Sequence, residues 1–235
     1  MTILILGGTA EARALSAALG AGSVLSLAGI TQKPLAIPHR IGGFGGVEGL
    51  SAYLQAEKIQ GIIDATHPFA AQISQNAYDA TMRLKLPLLR LERAPWPSAP
   101  DWKNVANLAD AAAATPPKAR VFLSIGSKSL SHFIARDDIW CLTRSIEPPA
   151  QLPPHGEAVL QRPPFALKNE LALLRHHKIS HLVSKNAGGE ATFTKLKAAD
   201  ALGINVIMVK RPQLPAVLTV ETVAEAVKWV ENLGD

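Results

Sequence analysis

Five stretches of this chain set residues able to do chemistry directly after short apolar runs. Gly7-Gly8-Thr9 follows Ile3-Leu4-Ile5-Leu6 and leads into Ala10-Glu11-Ala12-Arg13-Ala14-Leu15. Glycines let a backbone approach a phosphate closely, Thr9 offers a hydroxyl and a helix cap, and the free amides at a helix start favour an anion. The chemistry expected there is binding of a nucleotide phosphate. Ile62-Ile63-Asp64-Ala65-Thr66-His67-Pro68-Phe69 ends a second apolar run with a hydroxyl and an imidazole, just before a proline that can open a helix. A nicotinamide ring would lie here, beside Thr66 and His67. His67 is the candidate acid, weighed against the commoner role of a hydrogen-bonded structural histidine.

The other three stretches repeat the theme in the second half. Ser124-Ile125-Gly126-Ser127-Lys128-Ser129, Thr143-Arg144 and Ser184-Lys185-Asn186-Ala187-Gly188-Gly189 each close an apolar run with a cation. Together with Arg90 and Arg93 they predict a basic bowl suited to a ligand bearing several carboxylates. The alternative for any one of them is an ordinary surface cation.

The elements that must hold these residues follow from apolar patterning. Runs at 3 to 6, 23 to 30, 61 to 64, 87 to 91, 120 to 125, 139 to 143, 180 to 184 and 205 to 209 have strand length. Between them, Val47, Leu50 and Leu54 share a helical face, as do Phe69, Ile73 and Ala77, and Leu167, Leu171 and Leu174. Val220, Val223, Val227 and Val230 form a last stripe, with Thr222 and Glu225 spaced as a capping box. Alternating strands and helices predict an α/β fold with mostly parallel sheets. The same separation divides Gly7 from Thr66 and Gly126 from Lys185. Two similar doubly wound units facing a cleft, each with its ligand beyond the carboxyl ends of its strands, would produce that spacing. The proline-rich segment Ala94-Pro95-Trp96-Pro97-Ser98-Ala99-Pro100 reads as their join, which gives domains at 1–95 and 105–235 with the last strands free to cross between them. Glu147-Pro148-Pro149 through Pro153-Pro154 reads as a long surface loop.

Composition narrows the function classes. A chain of 235 residues, 48% hydrophobic, can bury a substantial core. No apolar stretch reaches the length of a membrane helix, and the first strand at residue 3 leaves no room for a leader, so a cytoplasmic protein is expected. Cys141 is the only cysteine, in an apolar run, and the seven histidines form no ligand cluster, so no metal is predicted. A formal charge of +5 suits a polyanionic partner, but the cations are scattered and aromatics are 5%, which argues against nucleic acid and for a small acidic ligand. The second strand ends at Leu27-Ala28-Gly29-Ile30-Thr31-Gln32-Lys33 with no acid at its tip. An NAD site usually places one there, so NADPH is favoured over NADH, with Thr31 and Lys33 as neighbours of its extra phosphate. Arg40-Ile41-Gly42-Gly43-Phe44-Gly45-Gly46 supplies backbone freedom for close passage of a flat or phosphorylated ligand.

Read in order, these segments resemble the precorrin-6A reductase family. The resemblance runs nearly end to end and is carried by Ile5 to Ala12, Ser26 to Gly29, Gly42 to Gly46, Asp64 to Ala70, Arg90-Leu91-Glu92-Arg93 and Ser184 to Gly189. The His-Pro-Phe and Lys-Asn-x-Gly-Gly signatures are the most specific of these. One departure is Ser127, which precedes Lys128 where an arginine is expected. The resemblance implies a pair of Rossmann-like domains, the first holding NADPH and the second holding the tetrapyrrole precorrin-6A. It also implies hydride transfer to a ring carbon, a proton delivered to the adjacent carbon, and other cobalamin-pathway enzymes as candidate partners. The cofactor residues are then Gly7, Gly8, Thr9, Glu11, Gly29, Thr31, Gly43, Gly45 and Thr66. The substrate residues are Arg90, Arg93, Ser127, Lys128, Arg144, Lys185, Asn186 and Gly188, with His67 as the catalytic candidate. Two alternatives stand beside this: an NADPH-dependent reductase of another polycarboxylate, and a nucleotide-sensing module without turnover.

Overall fold

A computed structural model describes residues 1–29 and 39–234. The chain divides into two compact units, Met1–Ala94 with Gln213–Asp235, and Pro95–Pro212. The final segment, expected within 105–235 with its strands free to cross, therefore packs with the first unit.

In the first unit β1 (Ile3–Leu6), α1 (Ala10–Leu19), β2 (Ser23–Leu27), β3 (His39–Ile41), α2 (Gly46–Ala56), β4 (Gly61–Asp64), α3 (Ala71–Leu84) and β5 (Leu88–Leu91) follow one another. After the second unit come β12 (Leu218–Val220) and α8 (Val223–Asn232). The second unit holds β6 (Lys103–Val105), α4 (Leu108–Ala114), β7 (Arg120–Ser124), α5 (Ser131–Ile134), β8 (Trp140–Ser145), β9 (Gly156–Leu160), α6 (Leu167–His176), β10 (His181–Lys185), α7 (Thr194–Ala201) and β11 (Asn205–Val209).

All pairings in both six-stranded sheets are parallel. The first sheet runs β12-β5-β4-β1-β2-β3 and the second β6-β11-β10-β7-β8-β9. With β7 counted as the counterpart of β1, the two orders are the same doubly wound order, and the sheets exchange their outermost strand. The chain leaves β5 to supply β6 to the second sheet, then leaves β11 to return β12 to the first. The internal echo in the sequence is this repeat. In each sheet the order reverses beside the central strand, with Leu6 opposite Asp64 and Ser124 opposite Ser184.

Strand alternation builds the layers. Ile3 and Ile5 point to the face covered by α1 and α8, with Leu15, Ala226 and Val230 buried there. Leu4 and Leu6 point to the face covered by α2 and α3, against Leu50, Leu54 and Ala77. A run buried on both sides reads as continuously apolar, as Ile3–Leu6 does. In the second unit Phe122, Leu142, Leu182 and Met208 join Leu174 and Leu196 in one core. Cys141 is fully buried in β8, and burial pushes its thiol up to about 12. The capping box forms on α8 as its spacing predicts, while Val220 ends β12 instead of joining the helix. Each of the eight predicted runs coincides with a strand, β8 and β10 extending past the predicted ends; β3, β6, β9 and β12 lie outside the predicted runs.

Candidate active site

In the first unit the tips of β1 and β4 meet at the reversal of strand order. Gly7 donates its amide to the Ser26 carbonyl at 2.9 Å, and Ala65 donates to the Leu6 carbonyl at 2.9 Å, which fixes both exits. Thr9 caps α1: its hydroxyl accepts from the Ala12 amide at 3.1 Å and donates to the Ala65 carbonyl at 2.7 Å, lashing the glycine turn to the β4 tip. Gly8 has φ +130, and a Cβ built on it meets nothing within 4 Å. Gly7 is different, since a Cβ there would come within 2.5 Å of Leu25. A side chain at Gly7 would have to displace Leu25, whereas Gly8 leaves open space beside a helix start.

Thr66 is turned inward. Its amide and hydroxyl donate to Asp64 Oδ1 at 3.2 and 2.7 Å. His67 is exposed, and its Nδ1 accepts from the Phe69 amide at 3.2 Å. In the neutral ring that contact assigns the proton to Nε2. Glu11, at the start of α1, accepts from Arg93 Nη1 through both carboxylate oxygens at 3.0 Å. Burial raises the Glu11 carboxyl, but its own amide and Arg93 outweigh that and hold it below the ordinary glutamate range. A residue expected on the cofactor and one expected on the substrate thus pair with each other inside the first unit.

The glycine segment after β3 is organised by Arg40, which sequence reasoning noted without giving a role. Its Nη1 donates to Ser26 Oγ at 2.8 Å and to the Gly42 carbonyl at 3.0 Å, and its Nη2 donates to the Gly43 carbonyl at 3.1 Å. The guanidinium lies 3.9 Å from the centre of the Phe44 ring. Gly45 caps α2 in the left-handed region at φ +79. Gly29 is exposed at the end of the β2 segment, while Thr31 and Lys33 lie outside the described residues.

Arg90 does not reach a rim. Only 8% exposed, it sits with Nε 3.7 Å from Asp64 Oδ2 and donates from Nη1 to the Pro215 carbonyl at 3.1 Å. Its position on β5, an interior strand, turns the side chain into the first unit, so its charge is balanced by Asp64.

In the second unit, Gly126 (φ +82) leads from β7 into a 3₁₀ turn over Ser127–Ser129, with Lys128 exposed. Lys185, at the tip of β10, donates from Nζ to Ser129 Oγ at 2.6 Å, so the two strand tips beside the reversal are joined. Burial holds its ammonium below the ordinary lysine range. Arg144 departs from the expected bowl. It is 6% exposed, donates to Glu170 through Nη1 and Nη2 at 2.9 and 2.7 Å, and lies against the rings of Phe122 and Phe165. The apolar face of α6 carries Glu170 beside Leu174, and the buried acid draws the guanidinium in. Asn186 is half-buried and bonded to Trp96, and Gly188 is buried at φ +69.

The structure therefore gathers Gly7, Gly8, Thr9, Glu11 and Thr66 around the first reversal point, and Ser127, Lys128, Lys185 and Gly188 near the second. Arg90, Arg93 and Arg144 are instead tied to carboxylates. The residues overlooked in the sequence are Asp64, an acid at the end of an apolar run, Glu170, an acid within the mixed polar and apolar helix Leu167–His176, and Trp96, an aromatic between two prolines. Among the described residues, no three of His, Cys, Asp and Glu gather as a metal site, and no helix is long and apolar enough to cross a membrane.

Comparison with known proteins gives one consistent result. The family model for precorrin-6x reductase CbiJ/CobK matches residues 2–231. The chain is 49% identical to the precorrin-6A reductase of Rhodococcus erythropolis, with 98% of each chain covered. It is 45% identical to that of Rhodobacter capsulatus, over 99% of this chain and 96% of the other. The cobalt-precorrin-6A reductase of Synechocystis is 30% identical over 93% and 92% of the two chains. A solved structure of CobK precorrin-6A reductase superposes with a TM-score of 0.91 at 44% identity, covering 100% of this chain and 97% of that one.

Proposed function

The chain belongs to the precorrin-6x reductase CbiJ/CobK family, and we propose that it reduces the macrocycle of precorrin-6A with a hydride taken from NADPH. The observation that carries the reading is the built-in asymmetry of the two reversal points. One is glycine-lined with a capped helix start, and the other is lined by hydroxyls and lysines. A doubly wound sheet binds its ligand at this reversal, beyond the carboxyl ends of the strands.

The first unit suits a dinucleotide. The open space at Gly8, the positive φ that excuses it from carrying a side chain, and the start of α1 fit a phosphate pressed against backbone. Arg40, fixed where β2 and β3 end, supplies the positive charge that an extra ribose phosphate requires and that a bare hydroxyl does not. NADPH, when bound, supplies the hydride; the protein supplies position and charge. On this reading Gly7, Gly8, Thr9, Gly29, Gly43 and Gly45 shape the cofactor's path. Glu11 and Thr66 hold the floor of the site through Arg93 and Asp64. His67, with its Nε2 proton directed away from the Phe69 amide, is the candidate donor of the proton to the adjacent ring carbon.

The second unit suits a polycarboxylate. Lys128, Lys185, Ser127 and the backbone around Gly188 make the direct contacts. Charge-assisted hydrogen bonds of this kind contribute about 1.5 to 3 kcal/mol each, so a few suffice to hold a substrate with many acids. Arg144 acts from below, buffered by Glu170, and Arg90 and Arg93 act within the first unit. The gap in identity between relatives named for precorrin-6A and those named for cobalt-precorrin-6A favours a ring without cobalt.

The test is consumption of NADPH by the purified protein. It is expected to start when precorrin-6A is added, in proportion to it, and to be slower with cobalt-precorrin-6A or NADH. Turnover only with a different polycarboxylate would replace the substrate, and binding of NADPH with no turnover would make the protein a sensor.

A further inference from the structure

The loop after β10 starts from Lys185, the lysine proposed above as a substrate anchor, and contains two successive glycines in the left-handed region, Gly188 at φ +69 and Gly189 at φ +76. Such a sequence has many conformations open to it, and something must select one. The selection comes from the two ends of the second unit, which runs Pro95–Pro212. Near its first residue, Trp96 and Asn186 exchange two hydrogen bonds. The Trp96 amide donates to Asn186 Oδ1 at 2.8 Å, and Asn186 Nδ2 donates to the Trp96 carbonyl at 3.1 Å. The Trp96 indole donates from Nε1 to the Gly189 carbonyl at 2.8 Å. Near its last residue, Arg211 donates from Nε to the Asn186 carbonyl at 3.0 Å and from Nη2 to the Ala187 carbonyl at 3.3 Å.

Three carbonyls of one short loop are therefore drawn towards Trp96 and Arg211. A trans peptide points its N–H opposite to its C=O, so the amide of Gly188 is directed away from Arg211 and that of Glu190 away from Trp96. Trp96 is itself held: it is 6% exposed, packs on Phe193 at 5.8 Å between ring centres, and has the Lys195 ammonium 5.0 Å from its own. Both functional groups of the Asn186 amide are committed to the Trp96 backbone.

We propose that Asn186 is a positioning residue, which with Trp96 fixes the Lys185–Gly189 loop in the one conformation that presents Lys185 and the Gly188 amide to a substrate carboxylate, without touching the substrate itself. The proposal rests on the reading of the second unit as the polycarboxylate site, and it reassigns Asn186 from contact to support.

Trp96→Phe removes the indole donor and keeps an aromatic ring; Asn186→Ala removes both amide bonds. In full-length protein each is expected to speed hydrogen exchange of amides 186–190 by about tenfold and to raise KM for precorrin-6A by about tenfold. The expected kcat stays within about twofold and the Kd for NADPH is unchanged, since nothing in the first unit is altered. The double variant should be no worse than the weaker single variant, because both act through one loop. A raised KM in Asn186→Ala with no faster exchange of amides 186–190 overturns the proposal and makes Asn186 a direct contact. Faster exchange with no change in KM in either variant overturns it as well, leaving only a structural role. Failure of the wild-type protein to reduce precorrin-6A would remove the reaction, a separate outcome; the exchange measurement would then still decide whether Trp96 and Asn186 fix the loop.

Discussion

Arg144 and Glu170 meet through two hydrogen bonds of 2.7 and 2.9 Å, with side chains 5% and 2% exposed. One comes from the tip of β8 and the other from the first turns of α6, so the pair ties the helix to the sheet beneath the proposed substrate loops. Removing one partner strands a buried charge. Glu170→Ala is expected to cost about 3 to 5 kcal/mol in urea unfolding, whereas replacing both residues by well-packed apolar ones should cost far less. A loss under about 1 kcal/mol for the single variant would mean that Arg144 finds another anion or water, and that it remains available to a ligand.

Gly8→Val forces a β-branched residue to φ +130 and fills the open space at the start of α1. The Kd for NADPH should rise by about tenfold or more while binding of precorrin-6A is retained. Normal NADPH binding by fluorescence titration would place the phosphates elsewhere.

Arg40→Ala deletes the cation at the ends of β2 and β3. If that cation meets the ribose phosphate, KM for NADPH should rise about tenfold or more with little change for NADH, so the preference between the two should shrink. An equal loss with both cofactors would assign Arg40 to holding the Gly42–Gly43 backbone alone.

Lys185 gives a pH prediction. Burial disfavours its charged form, so it loses its proton at lower pH than a free lysine. The sign follows: a carboxylate anchor present at neutral pH is lost as pH rises through the lowered value, and KM for precorrin-6A should climb on the alkaline side. Lys185→Arg should flatten that limb, and Lys185→Ala should raise KM about tenfold at neutral pH without affecting NADPH binding. An alkaline limb that survives in Lys185→Arg would assign the titration to another group.

Much of the fold is legible because parallel strands buried on both faces read as plain apolar runs, and Ile3–Leu6 or Val121 to Leu123 could be little else. The missed strands are edge or outermost ones. The burial of β9 is partial along Gly156–Leu160, and β6 and β12 are three residues long and depend on neighbours far away in the chain. Pairing of β12 with β5 rests on contacts such as Leu218 with Leu89, which no local pattern announces. Residue types marked the glycine and lysine tips correctly as strand ends but said nothing about partners. Whether an arginine faces a ligand or a buried acid depends on Asp64 and Glu170, and those acids declare themselves only once their strand and helix are packed.

The central claim is that a hydride passes from NADPH to the carbon skeleton of precorrin-6A, and the most direct measurement is transfer of label. With NADPH carrying deuterium at the transferable position of its nicotinamide, in ordinary water, the reduced macrocycle should gain one deuterium by mass spectrometry, bound to ring carbon. Product formed without that label, or precorrin-6A returned unchanged while NADPH is bound, would contradict the account.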